Sequence, residues 1–375
     1  MSMRLSATVL TVVLLLLFGS GCGGQPGGGS LPREADARLK ELGVDLDGWR
    51  AGGWRNWNPA AWLRGAEEFV NPVIDGLWGH DRMAGAREPY KNVPGNVGRE
   101  TGVSDPEPAP VAARPVQTPY RASAAAVGKV FFDGPAGPMV CSATVVQDPA
   151  RPGRSNLVWT AGHCVHAGRD GGWFRNIVFV PSYNDTGAPA GRLGALGSEQ
   201  LAPFGMWWAD GAAASDQWIA QGRTTGGDGA AFDYAVLHVA PEGGGDGRSL
   251  EETVGSALPI RFSGPAAPGI DVMGAWGYPA AAPFDGARMH SCTGRPGRLS
   301  LAPSQPTMYR IGCTMTGGSS GGGWFAPGAD GRPALVSNTS IGPVPAAWLA
   351  GPFLGAEAQA MFAGFSRAFA AQPTP

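Results

Sequence analysis

Short apolar segments rich in β-branched residues dominate the chain from about residue 121 onward, with glycine, proline and asparagine between them. Segments of this length and density predict an all-β sandwich or barrel rather than alternating α and β units. They read "VGKVFF", "MVCSATVV", "NLVWTA", "NIVFVP", "DYAVLHV", "IDVMGAWGY", "MYRIGC" and "ALVSNTSIG". We therefore expect one all-β domain over residues 121–375.

The last apolar pattern of the chain has a helical period instead. Over residues 356–371, Met361, Phe362, Phe365 and Phe369 fall on one face. This spacing predicts one amphipathic C-terminal α-helix.

The residues before 121 have a different character. The stretch "CGGQPGGGS" is a flexible tether by composition, and apolar residues recur at helical spacing over 32–49 and 60–78. Over 88–120 a proline every few residues excludes both a helix and a central strand, which predicts an extended linker. Residues 23–120 are thus expected to be a tether, a pro-segment or adaptor, and a Pro-rich linker, or else a poorly ordered leader with transient helices.

The first residues have the order of an export signal. Arg4 precedes an uncharged, mostly apolar run over 5–18, and small residues and Cys22 follow. The run is shorter than the roughly 20 residues of a membrane-spanning helix, so residues 1–22 are expected to be a secretory signal. The end of the signal also resembles a bacterial lipobox, in which the cysteine is lipidated, although Gly19 replaces the usual leucine. Lipidation at Cys22 and plain secretion both stay open.

The cysteines fit an exported protein, in which disulfides are permitted. Apart from Cys22, sequence order favours bonds from Cys141 to Cys164 and from Cys292 to Cys313. Four cysteines allow three connectivities, so the pairing is open at this point. The chain has no C-x-x-C pair, and no metal site is predicted.

Three sequence blocks supply the groups that acyl hydrolysis by a serine requires, namely a nucleophile, a base, an acid that orients the base, and donors for the oxyanion. "VWTAGHCVH" places His163 at the end of an apolar strand, and "FDYAVLHV" places Asp233 at the start of another. "TGGSSGGGW" holds Ser319 and Ser320 between glycines. Each block alone has an ordinary structural explanation, but the three together indicate a catalytic triad.

As a set, these blocks resemble the chymotrypsin-like serine peptidases, and in particular the secreted bacterial branch that includes glutamyl endopeptidases. The family's "TAGHC" stands at 160–164, its strand cysteine is matched by Cys141, its acid block begins at Asp233, and its nucleophile block is matched by 318–322. The resemblance implies two six-stranded antiparallel Greek-key barrels and a bond from Cys141 to Cys164.

The same resemblance assigns roles at the site. His163 is expected to be the base, Asp233 the orienting acid and Ser320 the nucleophile, with Ser319 as its variable neighbour. The backbone N–H groups of Gly318 and Ser320 are expected to form the oxyanion hole.

The specificity pocket follows from positions relative to the nucleophile. Thr314 is expected at its floor, where trypsin-like cleavage needs an aspartate. The other expected pocket residues are Met315, Gly317, Val336, Ser337 and Asn338. None of them is charged, and burying a charged substrate side chain without a partner is costly. Cleavage after uncharged residues is therefore expected.

Other polar residues near the blocks are expected to lie outside the site. His166 and Asp228 belong to this group. His238 follows Asp233 at an odd offset on the same predicted strand, so it is expected to face the opposite side and solvent.

The resulting prediction is an exported serine endopeptidase that acts on polypeptides, without a cofactor and as a monomer. The net charge of -2 gives no field that would attract nucleic acid, and a membrane contact is expected only through the lipid on Cys22. A catalytically silent barrel that binds peptide or cell-wall material is the alternative, because function resides in the site and not in the fold. An esterase with the same triad is a third.

Overall fold

The computed structural model describes residues 69, 71–89, 91–98, 102–134, 137–169, 171–223, 225–328 and 330–371. Cys22, the predicted export signal, the tether and the helix predicted over 32–49 lie outside these residues. The strands are β1 (Asn92–Val93), β2 (Arg114–Pro115), β3 (Val127–Gly134), β4 (Gly137–Val146), β5 (Leu157–Thr160), β6 (Arg175–Pro181), β7 (Trp207–Ala214), β8 (Ala235–Pro241), β9 (Met273–Gly277), β10 (His290–Gly294), β11 (Gly297–Leu299), β12 (Met308–Gly312), β13 (Gly323–Pro327), β14 (Pro333–Asn338), β15 (Gly342–Pro343) and β16 (Trp348–Gly351).

Short helices connect the strands, and one longer helix ends the described chain. The α-helices are α1 (His80–Ala84), α2 (Tyr120–Ser123), α3 (Ser198–Leu201), α4 (Asp216–Gln221), α5 (Leu250–Val254) and α6 (Ala356–Ala370). The 3-10 turns are Gly162–Cys164, Ala190–Ala195, Ala230–Phe232, Glu242–Gly244 and Ala267–Gly269.

The first half of the domain is a closed barrel of six antiparallel strands in the order β3-β4-β5-β8-β7-β6. Alternation along β3 shows how its sequence fits this position. Val130 and Phe132 belong to the core inside the barrel. Val127 and Phe131 point the other way, into a second cluster with Trp78, because successive side chains of a strand face opposite sides. Both faces of β3 are therefore buried.

In the second half two sheets surround one core, and a further small sheet pairs β1 with β15. The strands β14-β13-β9-β10-β2 form one sheet and β11-β12-β16 the other. Their shared core contains Met273, Ile311 and Trp324, together with the disulfide cysteines Cys292 and Cys313. The predicted fold class is thus confirmed. Two closed barrels were expected, but only the strands of the first half form a single closed sheet.

The predicted C-terminal helix is present as α6. Phe362 is buried against Trp159 of the first barrel, with ring centroids 6.0 Å apart, and Phe369 stacks on His238 at 4.1 Å. The helix therefore covers the outside of the barrel. Within the described residues, no helix is long and apolar enough to cross a membrane.

The described residues before 121 pack on the barrels. The Asn71 side chain donates to the carbonyl oxygens of Ile177 at 2.9 Å and Ala209 at 2.7 Å. Trp78 is buried and donates to the Asn176 carbonyl at 2.7 Å. A helix was predicted over 60–78, but the residues described there form irregular chain and turns. The side chain of Asn71 is bound to β6 and β7, and a proline follows Asn71.

The same packing continues toward residue 121. Arg82 pairs with buried Asp133 at 2.5 Å, and Asp105 pairs with Arg298 at 2.7 Å. Strand β2 adds to the edge of β10. The domain boundary at residue 121 stays a prediction, and the described chain before it lies against both halves.

Two disulfides join Cys141 to Cys164 and Cys292 to Cys313. The first ties β4 to the 3-10 turn that carries His163. Bonds that close loops of about this length stabilise a fold by about 3 kcal/mol in the chain-entropy account. Both lie where the sequence order placed them.

A buried lysine gives the fold a measurable pH dependence. Lys129 donates to the Gly286 carbonyl at 2.7 Å and lies 5.0 Å from the ring of Phe131 and 4.9 Å from that of Tyr183. Burial lowers the pKa of Lys129 to about 7, although the negative charge of Asp285 acts to raise it. Between that pH and the ordinary lysine pKa, the unfolded chain binds more protons than the folded chain, so the free energy of unfolding rises with pH.

Lys129→Met is therefore expected to lose a rise in stability that begins near pH 7 and continues toward the ordinary lysine pKa. Above pH 8 a smaller rise should remain, because burial also lowers the pKa of Lys91, to about 8. Between about pH 7 and 10 the free energy of unfolding of the parent should rise by on the order of 4 kcal/mol relative to the variant. Urea unfolding followed by tryptophan fluorescence from pH 6.5 to 10 measures it, and parallel curves for the two proteins would contradict the prediction.

Candidate active site

The base and the acid candidates form a buried pair in the first barrel. His163 lies in the 3-10 turn after β5, and Asp233 lies between the 3-10 turn Ala230–Phe232 and β8. His163 Nδ1 is 2.7 Å from Asp233 Oδ2, and the backbone N–H of His163 donates to Asp233 Oδ1 at 2.8 Å. Two bonds to one carboxylate fix the orientation of the imidazole.

Two residues from the second half hold Asp233 in place, one through its carboxylate and one through its backbone carbonyl. Ser340 Oγ donates to Asp233 Oδ2 at 2.5 Å, and Asn338 Nδ2 donates to the Asp233 carbonyl at 2.9 Å. Burial opposes ionisation of Asp233, but the charge and hydrogen bond of His163, with help from Lys91 and Ser340, outweigh it and lower the pKa of Asp233. The acid is thus held as a carboxylate.

The nucleophile candidate lies in a loop clamped to both halves. Ser142 of β4 donates from its N–H to the Ser320 carbonyl at 2.7 Å and from Oγ to the Gly318 carbonyl at 2.9 Å. The Gly321 N–H donates to the Thr339 carbonyl at 2.8 Å. These bonds fix the backbone on both sides of the Ser320 side chain.

Gly318 has a backbone conformation that favours glycine. Its φ is +92°, and a Cβ there would lie 2.6 Å from the Tyr278 carbonyl oxygen. The preceding carbonyl, of Gly317, accepts from the Ala280 N–H at 2.6 Å. Within the described chain, neither the N–H of Gly318 nor that of Ser320 donates to a protein acceptor, so both are available to an oxyanion.

The loop also lies beside the base. A Cβ on Gly321 would be 2.1 Å from Thr160 Oγ1 and 2.9 Å from the backbone nitrogen of Ala161, just before His163. His163 Nε2 is buried and has no hydrogen-bond partner among the described residues. No hydrogen bond therefore joins Ser320 to His163 Nε2 in this structure. Catalytic hydrogen bonds often tighten only when substrate binds.

A cavity of about 590 Å³ contains the nucleophile candidate. Of the expected pocket residues, Thr314, Met315 and Gly317 line it. Val336, Ser337 and Asn338 do not line it. They are buried behind it, and the facing wall is formed instead by residues that follow them, Thr339, Ser340, Ile341 and Gly342.

The reason is that Ser337 and Asn338 point into the domain. Ser337 Oγ donates to the Pro352 carbonyl at 2.7 Å, and the Asn338 side chain joins Trp159 to Asp233. The other side of the cavity is formed by residues 281–284 and by residues 88–92, of which residue 90 is not described.

The histidines expected outside the site are held elsewhere. His166 Nδ1 accepts from the Gly168 N–H at 3.0 Å, and burial lowers the pKa of His166 to about 4. The expectation that His238 faces solvent was wrong. It bonds to Asp210 at 2.6 Å, and Phe369 of α6 covers its ring.

Other candidates are likewise engaged. Ser319 is buried and donates to the Thr316 carbonyl at 2.7 Å, and Asp228 forms an exposed pair with Arg223 at 3.2 Å. The sulfurs of Cys141 and Cys164 lie near His163, but they are joined in a disulfide and offer no thiolate to a metal ion.

Sequence reasoning did not find Ser340 or Ser142, and it assigned Asn338 to the specificity pocket; all three residues position the triad candidates. Ser340 is 107 residues from Asp233 along the chain, and "NTS" has no feature that separates it from an ordinary polar loop. Only the packing of the two halves brings these groups together.

Comparison with solved structures identifies the family. The crystal structure of thermostable serine protease AL20 from an extremophilic microorganism is 34% identical, with a TM-score of 0.51, and the match covers 65% of this chain and 97% of that one. The chain belongs to the chymotrypsin-like serine peptidases. The protease Anisep from Arthrobacter nicotinovorans is also similar to this peptidase, at 27% identity and a TM-score of 0.52, over 68% of this chain and 99% of that one.

More distant comparisons add nothing on specificity. A Glu endopeptidase structure is 16% identical with a TM-score of 0.48, over 71% of this peptidase and 100% of that chain, which carries no argument about the preferred residue. No family model matches the chain. No curated protein matches it either.

Proposed function

We propose that the protein is an endopeptidase that hydrolyses peptide bonds through an acyl-enzyme on Ser320. The observation that carries the proposal is the buried pair of His163 and Asp233. It fixes Nδ1 and leaves Nε2 without a hydrogen-bond partner in the described part of the chain, next to the clamped loop of Ser320. This is the arrangement that a general base for a serine hydroxyl requires.

The steps follow from these positions. The Ser320 hydroxyl proton passes to His163 Nε2 as Oγ bonds to the substrate carbonyl carbon, and the oxyanion accepts hydrogen bonds from the N–H groups of Gly318 and Ser320. His163 then gives the proton to the leaving amine as the C–N bond breaks. A water molecule, deprotonated by His163, releases the acyl group by the same steps. Asp233 stabilises the imidazolium in each step.

The cavity supports a preference for uncharged residues at the cleaved position. Thr314, Met315 and Gly317 on one wall, and Thr339 to Gly342 on the other, carry no charge, and the charged lining residues Glu88 and Lys91 belong to the N-terminal chain. The nearby charges of Asp285 and Arg288 are held elsewhere, since Asp285 accepts from two backbone N–H groups and Arg288 donates to the Gly187 carbonyl at 2.8 Å.

The expected cellular context is part of the proposal. The sequence pattern supports export through residues 1–22 with lipidation at Cys22, a peptidase domain over 121–375 and a monomeric state. The two disulfides fit an oxidising compartment.

Labelling with a fluorophosphonate tests the proposed nucleophile. The full chain should form a covalent adduct on the peptide that contains Ser320, and it should hydrolyse a small p-nitrophenyl ester. Peptide mapping by mass spectrometry locates the adduct. No adduct and no ester hydrolysis between pH 6 and 9 would favour the catalytically silent, peptide-binding alternative.

A further inference from the structure

The described N-terminal chain crosses the cleft in which Ser320 lies. We define residues 87–93, of which residue 90 is not described, as the cleft-crossing segment. At its first end, the Arg87 N–H donates to the Pro138 carbonyl at 3.0 Å, and Arg87 accepts from the Val140 N–H at 2.9 Å. Val140 lies two residues before Ser142, which clamps Ser320. The segment therefore begins on the strand next to the nucleophile.

The other end of the segment adds a strand on the opposite wall. Asn92 and Val93 of β1 pair in parallel with Gly342 and Pro343 of β15. That stretch directly follows Ser340, which bonds to Asp233. The edge beside the acid is thus also occupied.

Between these ends, the segment lies over the catalytic groups. Glu88 lines the cavity of Ser320, and a Cβ on Gly317 would be only 2.5 Å from Glu88 Cγ. Lys91 is buried, donates to the Arg223 carbonyl at 2.6 Å and lies 4.6 Å from the ring of Trp218. The Trp218 ring is itself 6.1 Å from that of His163.

We propose that the cleft-crossing segment is an autoinhibitory strap that excludes polypeptide substrates, an inference that rests on the proposed peptidase function. A peptide that reaches Ser320 must pass between the same two walls, and peptides bind such edges through main-chain hydrogen bonds. Here those hydrogen bonds are made by Arg87 at one wall and by β1 at the other. A tethered segment competes at an effective concentration on the order of millimolar, so a substrate at micromolar concentration is largely excluded.

The strap has little backbone pairing with the cleft walls, so it can be displaced once the contacts of Lys91 are broken. Its pairing consists of a single bridge at Arg87 and a strand of two residues. Val93 is its apolar anchor, buried in a cluster with Leu299 and Ile341. By contrast, Trp78 and Met83 before it belong to a large core cluster. Release of the strap therefore does not require the preceding chain to unfold.

Two substitutions in the full-length protein test the proposal from opposite ends. Val93→Asp places a charge in the apolar cluster, and Arg87→Pro removes the N–H that bonds to Pro138. Val103→Asp is the matched control, because Val103 lies in the same N-terminal region but is 46% exposed. Circular dichroism and thermal melts verify folding. If one of the two test variants fails to fold, the other still tests the proposal.

The readouts are kcat/KM for an extended fluorogenic peptide of about ten residues and for the small p-nitrophenyl ester. We expect Val93→Asp and Arg87→Pro each to raise the ratio of peptide to ester hydrolysis at least tenfold, with no change in Val103→Asp. Ratios within twofold of the parent in both folded test variants, with ester hydrolysis intact, would overturn the strap alone. Absence of ester hydrolysis and of labelling in every variant would overturn the peptidase function, and the strap with it.

Discussion

Ser320→Ala is expected to abolish covalent labelling by a fluorophosphonate and to lower kcat for ester hydrolysis by a factor on the order of 10⁴ to 10⁶. The loss is large because the neighbouring hydroxyl, that of Ser319, cannot replace the nucleophile. Ser319 is buried and its Oγ already donates to the Thr316 carbonyl. Labelling followed by single-turnover ester kinetics measures the effect.

Ser319→Ala is the matched control for this experiment. It removes a neighbouring hydroxyl that bonds only to the loop backbone in the described structure, so labelling should persist. Labelling of Ser320→Ala at the parent rate would show that another residue is the nucleophile, and thermal melts of both variants exclude loss of fold as the cause.

Asp233→Asn is expected to lower kcat for ester hydrolysis by a factor of about 10⁴, with little change in KM. The amide cannot both accept the two hydrogen bonds from His163 and stabilise an imidazolium, so His163 is held in the wrong tautomer. Initial-rate assays from pH 6 to 10 measure kcat. The kcat of the variant is expected to recover partly at high pH, because an external base can then take the proton.

Asp228→Asn is the control for the aspartate. Asp228 is exposed and only 5 residues from Asp233 in the chain, and it pairs with Arg223 at the surface, so its substitution should leave kcat unchanged. A loss of less than tenfold in Asp233→Asn would contradict the role of Asp233 as the orienting acid.

The sequence was sufficient for the fold class because strand-forming segments are local. Short apolar segments such as "VGKVFF" predicted strands, and β3 contains this segment with both of its faces buried. The C-terminal helix was equally clear, since Phe362 and Phe369 recur at helical spacing. Motif blocks then named His163 and Asp233, and the structure brings these two residues together.

The remaining features depend on contacts between distant segments. The pocket wall lies after Asn338 rather than on it, because the Asn338 side chain is used to hold Asp233. His238 is covered because α6 packs across its strand. The prolines after residue 88 predicted an extended chain, but no local pattern shows that this chain follows the cleft, since edges of a sheet are available only once the sheet exists.

The clamps on the triad candidates cross between the two halves of the domain. Ser142 of the first barrel holds the backbone of Ser320, whereas Ser340 of the second half holds Asp233 of the first. Neither half therefore contains all the groups of the proposed triad together with their clamps, and partial opening of the contact between the halves would displace Asp233 and Ser320 at once. Loss of activity during denaturation should therefore report the separation of the two halves. Activity should disappear together with the tertiary-structure signal of whichever half unfolds first.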